Sequence, residues 1–203
     1  MASMQPRNPK GLATRQVILR KACDLASVAG LAGLTIGSLA EVLEMSKSGL
    51  FAHFGSKEEL QLAVLEAAAA LFHDRVVEAA AGKPPGLERL QALAEAWTRY
   101  LESGAFRGGC LFAAVSSEFD DRPGKVRNRI AQLTDGWLGL LEQQAAEALS
   151  HSQIDGRIDP AQVAFELHAF FHEANRTFQL HGRADAFERC RIATRRLFER
   201  IVN

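Results

Sequence analysis

Apolar positions recur at helical spacing along almost the whole of this chain. From Thr14 onward, Ile18, Ala22, Leu25, Ala26 and Ala29 fall at i, i+4, i+7, i+8 and i+11, one face of a helix that Gly30 can stop. Thr35 stands where it can cap a short helix carrying Ile36, Leu39, Ala40 and Leu43, and Ser46 can cap another with Leu50 and Phe54 inward. Ser56 followed by Glu59 fits a capping box for a longer helix. That helix keeps Leu60, Val64, Ala67, Ala68, Leu71 and Phe72 in register and can run to about Ala81. The stretch "GKPPG", 82–86, is the clearest break, because two prolines cannot continue a helix. Further helical patterns cover roughly 87–103, 107–119, 124–150, 160–181 and 184–202, with breaks at Gly104, "DDRPG", "DGRIDP" and "HGRAD". No convincing alternating strand and no fixed-period repeat is found, so the expected fold class is all-α.

Residues 1–13, "MASMQPRNPKGLA", hold two prolines and no periodicity, and are expected to form a flexible N-terminal arm. Composition then narrows the setting. The chain has 203 residues, 47% hydrophobic and 24% charged, enough for a real core in an ordinary globular protein. No apolar run approaches the ~20 residues that span a bilayer, and no secretory pattern opens the chain. A cytoplasmic location with no membrane partner is therefore expected. Cys23, Cys110 and Cys190 are too widely spaced for a disulfide framework or a zinc cluster, and read as reduced thiols. A redox role for Cys110 is left open. Net charge is zero, yet residues 1–57 carry seven Lys/Arg against three Asp/Glu, and the other 146 carry 17 against 21. A basic end on an acidic body suggests that the end meets a polyanion.

The stretch "MSKSGLFAHFGSKEEL", 45–60, focuses that suggestion. Two short helices, a turn "EMS" at 44–46 and a second helix beginning at a capping serine outline a helix-turn-helix. The start of that second helix offers backbone N–H groups and a positive dipole end to phosphate. Lys47 and Ser48 stand in its first turn, within reach of base edges. Gly49 costs ~1 kcal/mol relative to alanine, a cost explained if the helix must approach DNA or a neighbour closely. His53 and Lys57 follow, while Leu50 and Phe54 hold the helices together. A tight αα junction inside a bundle has the same outline, so the residues alone leave both readings open.

Residues about 14–62 resemble the N-terminal domain of the TetR family of transcriptional regulators. The resemblance is carried by "TIGSLAEVLEMSKSGLFAHFGSKEEL", with Thr35, the Leu39-Ala40 pair, Ser46, Leu50, Phe51, His53, Phe54, Ser56, Lys57 and Leu60 in order. "FRGGCLFAAVSSEFDDRPGKVRNRI" is similar to the middle of one subgroup's ligand domain. The resemblance implies a three-helix DNA-binding domain at 14–62 and a larger helical ligand-binding and dimerisation domain at 63–203. It further implies a homodimer that binds a roughly palindromic double-stranded operator as a repressor and is released by a small-molecule effector. Lys47 and Ser48 match the base-facing positions, with Gly49 beside them; Thr35, Ser46, Phe51, His53 and Lys57 match positions that touch the backbone. Three residues depart from the family pattern. Glu44 replaces a glycine common in the turn, Phe51 replaces a tyrosine and loses its hydroxyl, and Gly37 lacks a side chain that sometimes reads DNA. Arg7, Lys10 and Arg15 could compensate from the arm, or Arg7 and Lys10 could be a solvated tail.

In the body, the last two helical patterns carry wide apolar stripes: Val163, Leu167, Phe170, Phe171, Ala174 and Phe178, then Phe187, Cys190, Thr194, Leu197, Phe198 and Ile201. The resemblance implies that these helices pair with their mates in a dimer; a purely internal core is the competing account. Trp97, Tyr100, Cys110, Phe112, Phe119 and Trp137 are the expected ligand-binding residues, amphipathic aromatics suiting an apolar cavity with few polar handles. Aromatic stripes also fill ordinary cores. Ligand would act by population shift, favouring a subunit orientation that no longer matches the half-site spacing. His168 and His172 stand at i and i+4 in "HAFFHE", a spacing that can bind metal, so a helical metal-binding protein or enzyme is the alternative. It is not HExxH, and no GxSxG, P-loop or Rossmann fingerprint is present. No catalytic residue, metal or cofactor is expected.

Overall fold

The structure is a computed structural model and describes residues 9–202. In chain order the helices are α1 (Pro9–Ala29), α2 (Ile36–Val42), α3 (Lys47–Phe54), α4 (Lys57–Phe72), α5 (Glu78–Ala81), α6 (Leu87–Glu102), α7 (Leu111–Phe119), α8 (Lys125–Ser150), α9 (Pro160–His181) and α10 (Asp185–Ile201). A π-helical turn, His73–Val77, joins α4 to α5 without a break. Among the described residues no strand forms; a single antiparallel bridge links Ile154 to Val202.

The first helix begins earlier than its apolar pattern predicts. It starts at Pro9, so residues 9–13 are helical where an arm was expected. Proline is tolerated at a first helical position, because its missing N–H would have no partner there. Residues 1–8, including Arg7, lie outside the described residues.

Serine and threonine set the starts of the three helices that follow. Thr35 Oγ1 accepts from the Ser38 N–H at 3.0 Å, and Ser38 Oγ accepts from the Thr35 N–H at 3.1 Å, a reciprocal box closed by serine. Ser46 Oγ accepts from the Gly49 N–H at 3.1 Å, and Ser56 Oγ from the Glu59 N–H at 3.1 Å. The box expected at Ser56 is only half made, because the Ser56 N–H donates to the Phe54 carbonyl at 2.9 Å. Between α2 and α3, Met45 N–H donates to Ala40 O (2.9 Å) and Glu44 N–H to Glu41 O (3.2 Å), closing a Schellman motif. Glu44 has φ 53°, the left-handed conformation that a glycine adopts without strain. Glutamate thus holds here a backbone conformation that favours glycine.

Two hydrophobic cores form, and they do not divide at residue 62. The first joins α1–α4 to Phe106, to Leu111, Val115 and Phe119 of α7, and to Val126 and Ile130 of α8. The second gathers Val76, Ala80, α6, the rest of α8, α9 and α10. One continuous helical rod serves both, giving Leu60, Val64, Leu65 and Ala68 to the first and Val76 and Ala80 to the second.

Most positions of the wide stripes on α9 and α10 pack into the chain's own second core. Val163, Leu167, Phe171, Ala174, Phe187, Cys190, Leu197, Phe198 and Ile201 are buried, and Phe170 and Phe178 are half-buried against them. Thr194 is half-buried as well. The stripes are wide because α9 packs on α6, α8 and α10, and α10 on α6 and α9. Other apolar residues of these helices stay outside: Phe165 is 66% exposed and Ile192 36%.

Candidate functional site

The first turn of α3 presents Lys47 and Ser48 to solvent. Lys47 lies across α2: a Cβ added at Gly37 would stand 3.6 Å from Lys47 Cε and 3.8 Å from Nζ. The space left by Gly37 is thus beside the lysine chain, on the same outer face. Phe51, one turn beyond Lys47, is 55% exposed. A Cβ at Gly49 would sit 3.1 Å from Ser46 Oγ, a tight contact with the capping hydroxyl. Ser46 Oγ also lies 3.2 Å from Ser48 Oγ, so the capping and solvent-facing hydroxyls form one small cluster. His53 is half-buried beside Phe54, with ring centroids 6.2 Å apart.

Lys57 and Arg15 are tied to the fold. Lys57 Nζ donates to the Ala32 carbonyl at 2.5 Å, which anchors the start of α4 to the α1–α2 loop. Arg15 places its guanidinium over the Phe54 ring, 5.0 Å from the centroid, a cation–π contact. It packs there as part of α1 and not as part of an arm.

A second constellation surrounds a cavity of about 460 Å³ between the α4–π-turn rod, α6, α7, α8 and α9. Of the residues expected to bind ligand, Trp97, Cys110, Phe112 and Trp137 line it. Tyr100 and Phe119 do not. Tyr100 is buried edge-on to Phe72 at 5.4 Å, and Phe119 belongs to the first core, with Arg122 over its ring at 5.6 Å. The sequence reading missed Phe72, His73, Val77, Leu133 and Leu140 as lining residues. Phe72 carried the helical signal of a core position, but nothing in the sequence marks the π turn that sets it beside His73 and Val77.

His168 and His172 also reach this cavity, their rings 4.1 Å apart. Burial pushes His168 down to about 4, with the neighbouring His172 adding to the shift, and burial lowers His172 too. Both imidazoles are therefore neutral near pH 7. Burial raises the Cys110 thiol, which opposes thiolate chemistry. Trp97 Nε1, Trp137 Nε1 and His168 Nδ1 are buried without a hydrogen-bond partner. Among the described residues no group of three or more His, Cys, Asp or Glu could hold a metal ion.

A strap, residues 106–110, connects the two constellations. The Arg107 N–H and Nε donate to the Asp24 carboxylate of α1 at 3.0 and 2.6 Å, and the Gly108 N–H donates to Ser27 Oγ at 3.0 Å. Burial alone would raise Asp24, but the Arg107 backbone and guanidinium outweigh it and hold the carboxyl below its usual value. A Cβ at Gly108 would overlap the Ser27 carbonyl, so only glycine lets the strap lie this close to α1. At its other end, Cys110 N–H donates to Asn175 Oδ1 of α9 at 3.0 Å. One helix further on, Glu118 of α7 accepts from the Leu31 and Ala32 N–H groups at 2.7 Å each. Gln61 Nε2 donates to the Leu31 carbonyl at 2.8 Å. Cavity wall, α9, α1, the α1–α2 loop and the start of α4 are thus joined by directional bonds.

Comparison with known proteins matches this two-part architecture. A family model described as "Bacterial regulatory proteins, tetR family" matches residues 18–64, and one described as "Tetracyclin repressor-like, C-terminal domain" matches 86–194. The HTH-type transcriptional repressor NemR of Escherichia coli (strain K12) is 26% identical over 164 residues, covering 80% of this chain and 82% of NemR. A TetR transcriptional regulator from Chloroflexus aurantiacus superposes with a TM-score of 0.84 at 25% identity, over 95% of this chain and 96% of that one. AibR, solved in complex with isovaleryl coenzyme A and operator DNA, has the same fold with a TM-score of 0.74 at 22% identity, over 90% and 97% of the two chains.

Proposed function

The chain belongs to the tetR family of bacterial regulatory proteins, and from that premise we propose that it is a transcriptional repressor which binds an operator duplex and is released by a small molecule held in the 460 Å³ cavity. The observation that carries this is the first turn of α3. A serine-capped helix start, a lysine, a hydroxyl and an exposed ring share one outer face, with the helix dipole positive toward the same side. In a major groove, Lys47 would donate to guanine O6 and N7, and Ser48 to either partner of a base pair. Thr35, Ser46 and the two remaining donors of the Lys57 ammonium would meet phosphate. His53 is half-buried and would reach the backbone only at the groove's edge. Phe51, without a hydroxyl, offers no hydrogen bond and would rest against sugar or a thymine methyl.

Two copies are needed to read a palindromic site. We assign the contact to the outer faces of α9 and α10, where Phe165, Ala169 and Ile192 are exposed, instead of the inner stripes. Release would follow from the strap. A ligand that moves Cys110 and α7 pulls on Asp24 and Ser27 through Arg107 and Gly108, and on the α1–α2 loop through Glu118. The two reading helices then lose their half-site spacing. No catalytic step is assigned, and among the described residues no helix is long and apolar enough to cross a membrane. A DNA-reading protein of this kind works in the cytoplasm.

Selection of bound sequences from a random duplex pool tests the function. Wild type is expected to enrich a roughly palindromic site, and Lys47→Ala to weaken or relax that preference by about ten- to a hundredfold. If no site is enriched and both proteins bind weakly and alike, the assignment is wrong.

A further inference from the structure

The walls of the cavity say what kind of effector it takes. Resting on the regulator reading above, we propose that the effector is an uncharged, flat aromatic molecule carrying a hydrogen-bond acceptor, seated among Phe72, Trp97, Phe112, Trp137 and His168.

Charge is the first argument. No Asp, Glu, Lys or Arg lines the cavity. A carboxylate, ammonium or phosphate carried inside would lose its hydration and meet no counter-charge, which costs several kcal/mol. His168 and His172 do not supply one, since burial keeps both neutral near pH 7, and the third lining imidazole, His73, already has a carboxylate beside it. Charges near the mouth are no more welcoming to an anion. His73 lies 3.7 Å from Glu78, Asp135 adjoins the lining residue Thr134, and Arg129 of α8 is already gripped by Glu66 at 2.5 and 2.9 Å. A phosphate-rich molecule such as the acyl-coenzyme A held by AibR finds no partner in this wall.

Shape is the second. Phe72, Trp97 and Trp137 meet edge to face, with centroids 4.9 to 5.9 Å apart and interplanar angles of 84° to 88°. Rings set at right angles offer both a face and an edge to a planar guest. A volume of about 460 Å³ suits a guest of one to a few rings.

The third argument is unmet hydrogen bonding. Trp97 is only 3% exposed, yet its indole N–H has no partner, and the Trp137 N–H has none either. Buried donors are almost always satisfied, so two orphan donors on residues that line the cavity call for an acceptor, and a guest that shifts either ring would bring it.

Calorimetric titration of the full chain with 2-naphthamide, 2-naphthoate and isovaleryl-coenzyme A separates these points. The amide and the carboxylate share a ring system and differ in charge. 2-Naphthamide is expected to bind, 2-naphthoate about a hundredfold more weakly, and the thioester not measurably. Trp137→Phe, which keeps a ring and removes the N–H, should weaken the amide about tenfold. Equal or tighter binding of naphthoate, binding of the thioester, or no binding of the amide would overturn the proposal. The same titrations on operator-bound protein distinguish the premise. If 2-naphthamide binds as expected but leaves DNA affinity unchanged, the effector chemistry stands and ligand-driven release fails.

Discussion

The two cores of this molecule are filled in different ways. The first is built mainly from Leu, Ile, Val and Ala, such as Ile18, Leu31, Leu39, Leu50, Leu60 and Val64, all 0–1% exposed. The second adds both tryptophans, with Phe72 beside them, and these three rings line a cavity. Aliphatic chains fill a core without offering a flat surface, whereas ring faces and edges turned to a cavity offer stacking contacts to a planar molecule. The difference fits the two proposed tasks: the first core holds the reading helix to its neighbours, and the second lines a chamber.

The largest expected effect breaks that comparison directly. Leu60→Ala, deep in the first core, should cost about 2–5 kcal/mol, while Leu140→Ala on the cavity wall should cost about 1 kcal/mol, because Leu140 already faces empty space. Urea unfolding of the two variants reads the contrast, and equal costs would erase it. Next comes the joint between the regions. Glu118→Ala leaves the Leu31 and Ala32 N–H groups without their carboxylate and should remove about 1–3 kcal/mol. Hydrogen exchange at those two amides should rise with it; unchanged protection would mean that Glu118 is not what holds the loop.

A smaller effect runs the other way. Glu44→Gly relieves a left-handed residue and should stabilise the chain by about 1 kcal/mol, visible as a raised denaturation midpoint with operator affinity kept. The smallest prediction concerns acid. His168 titrates near 4 in the fold against 6.5 unfolded, so between those values the unfolded chain binds more protons and stability falls as pH falls. The histidine is partly solvated, which limits the effect. Melting temperatures at pH 7 and pH 5 should differ less in His168→Leu than in wild type, and an identical difference would count against a buried neutral imidazole.

Much of the first region was legible because its signals are local. Thr35, Ser46 and Ser56 each cap the next helix by accepting from the N–H three residues ahead, and such a cap looks the same in sequence and in space. The residue type at 44 did not disclose its backbone angle, since a Schellman closure can force glutamate into a glycine's conformation. The second region was legible as helices but not as a chamber. Trp97 and Tyr100 stand three residues apart on α6, yet only Trp97 reaches the cavity, because Tyr100 is directed against the edge of Phe72. Phe119 sits at the end of α7, whose inner face serves the other core. The stripes of α9 and α10 do not separate core from interface: a helix between several neighbours of its own chain has as broad an apolar face as one that meets a second copy. Glu118 carried no signal at all, its partners lying 86 and 87 positions away.

The π turn at His73–Val77 has a consequence for how this gene can vary. A π turn holds one more residue than the α turn it replaces. Deleting a single codon there would let the rod relax to uniform α-helix with its phase nearly kept, because the five residues of the π turn sweep about the same angle as four of an α-helix. Deleting one within α4 instead would rotate everything beyond by about 100°, and Val76 and Ala80, now wholly enclosed, would swing toward water while the reading head stayed as it is. The length of this helix is therefore locked along α4, and the π turn is where the tract can give up a residue.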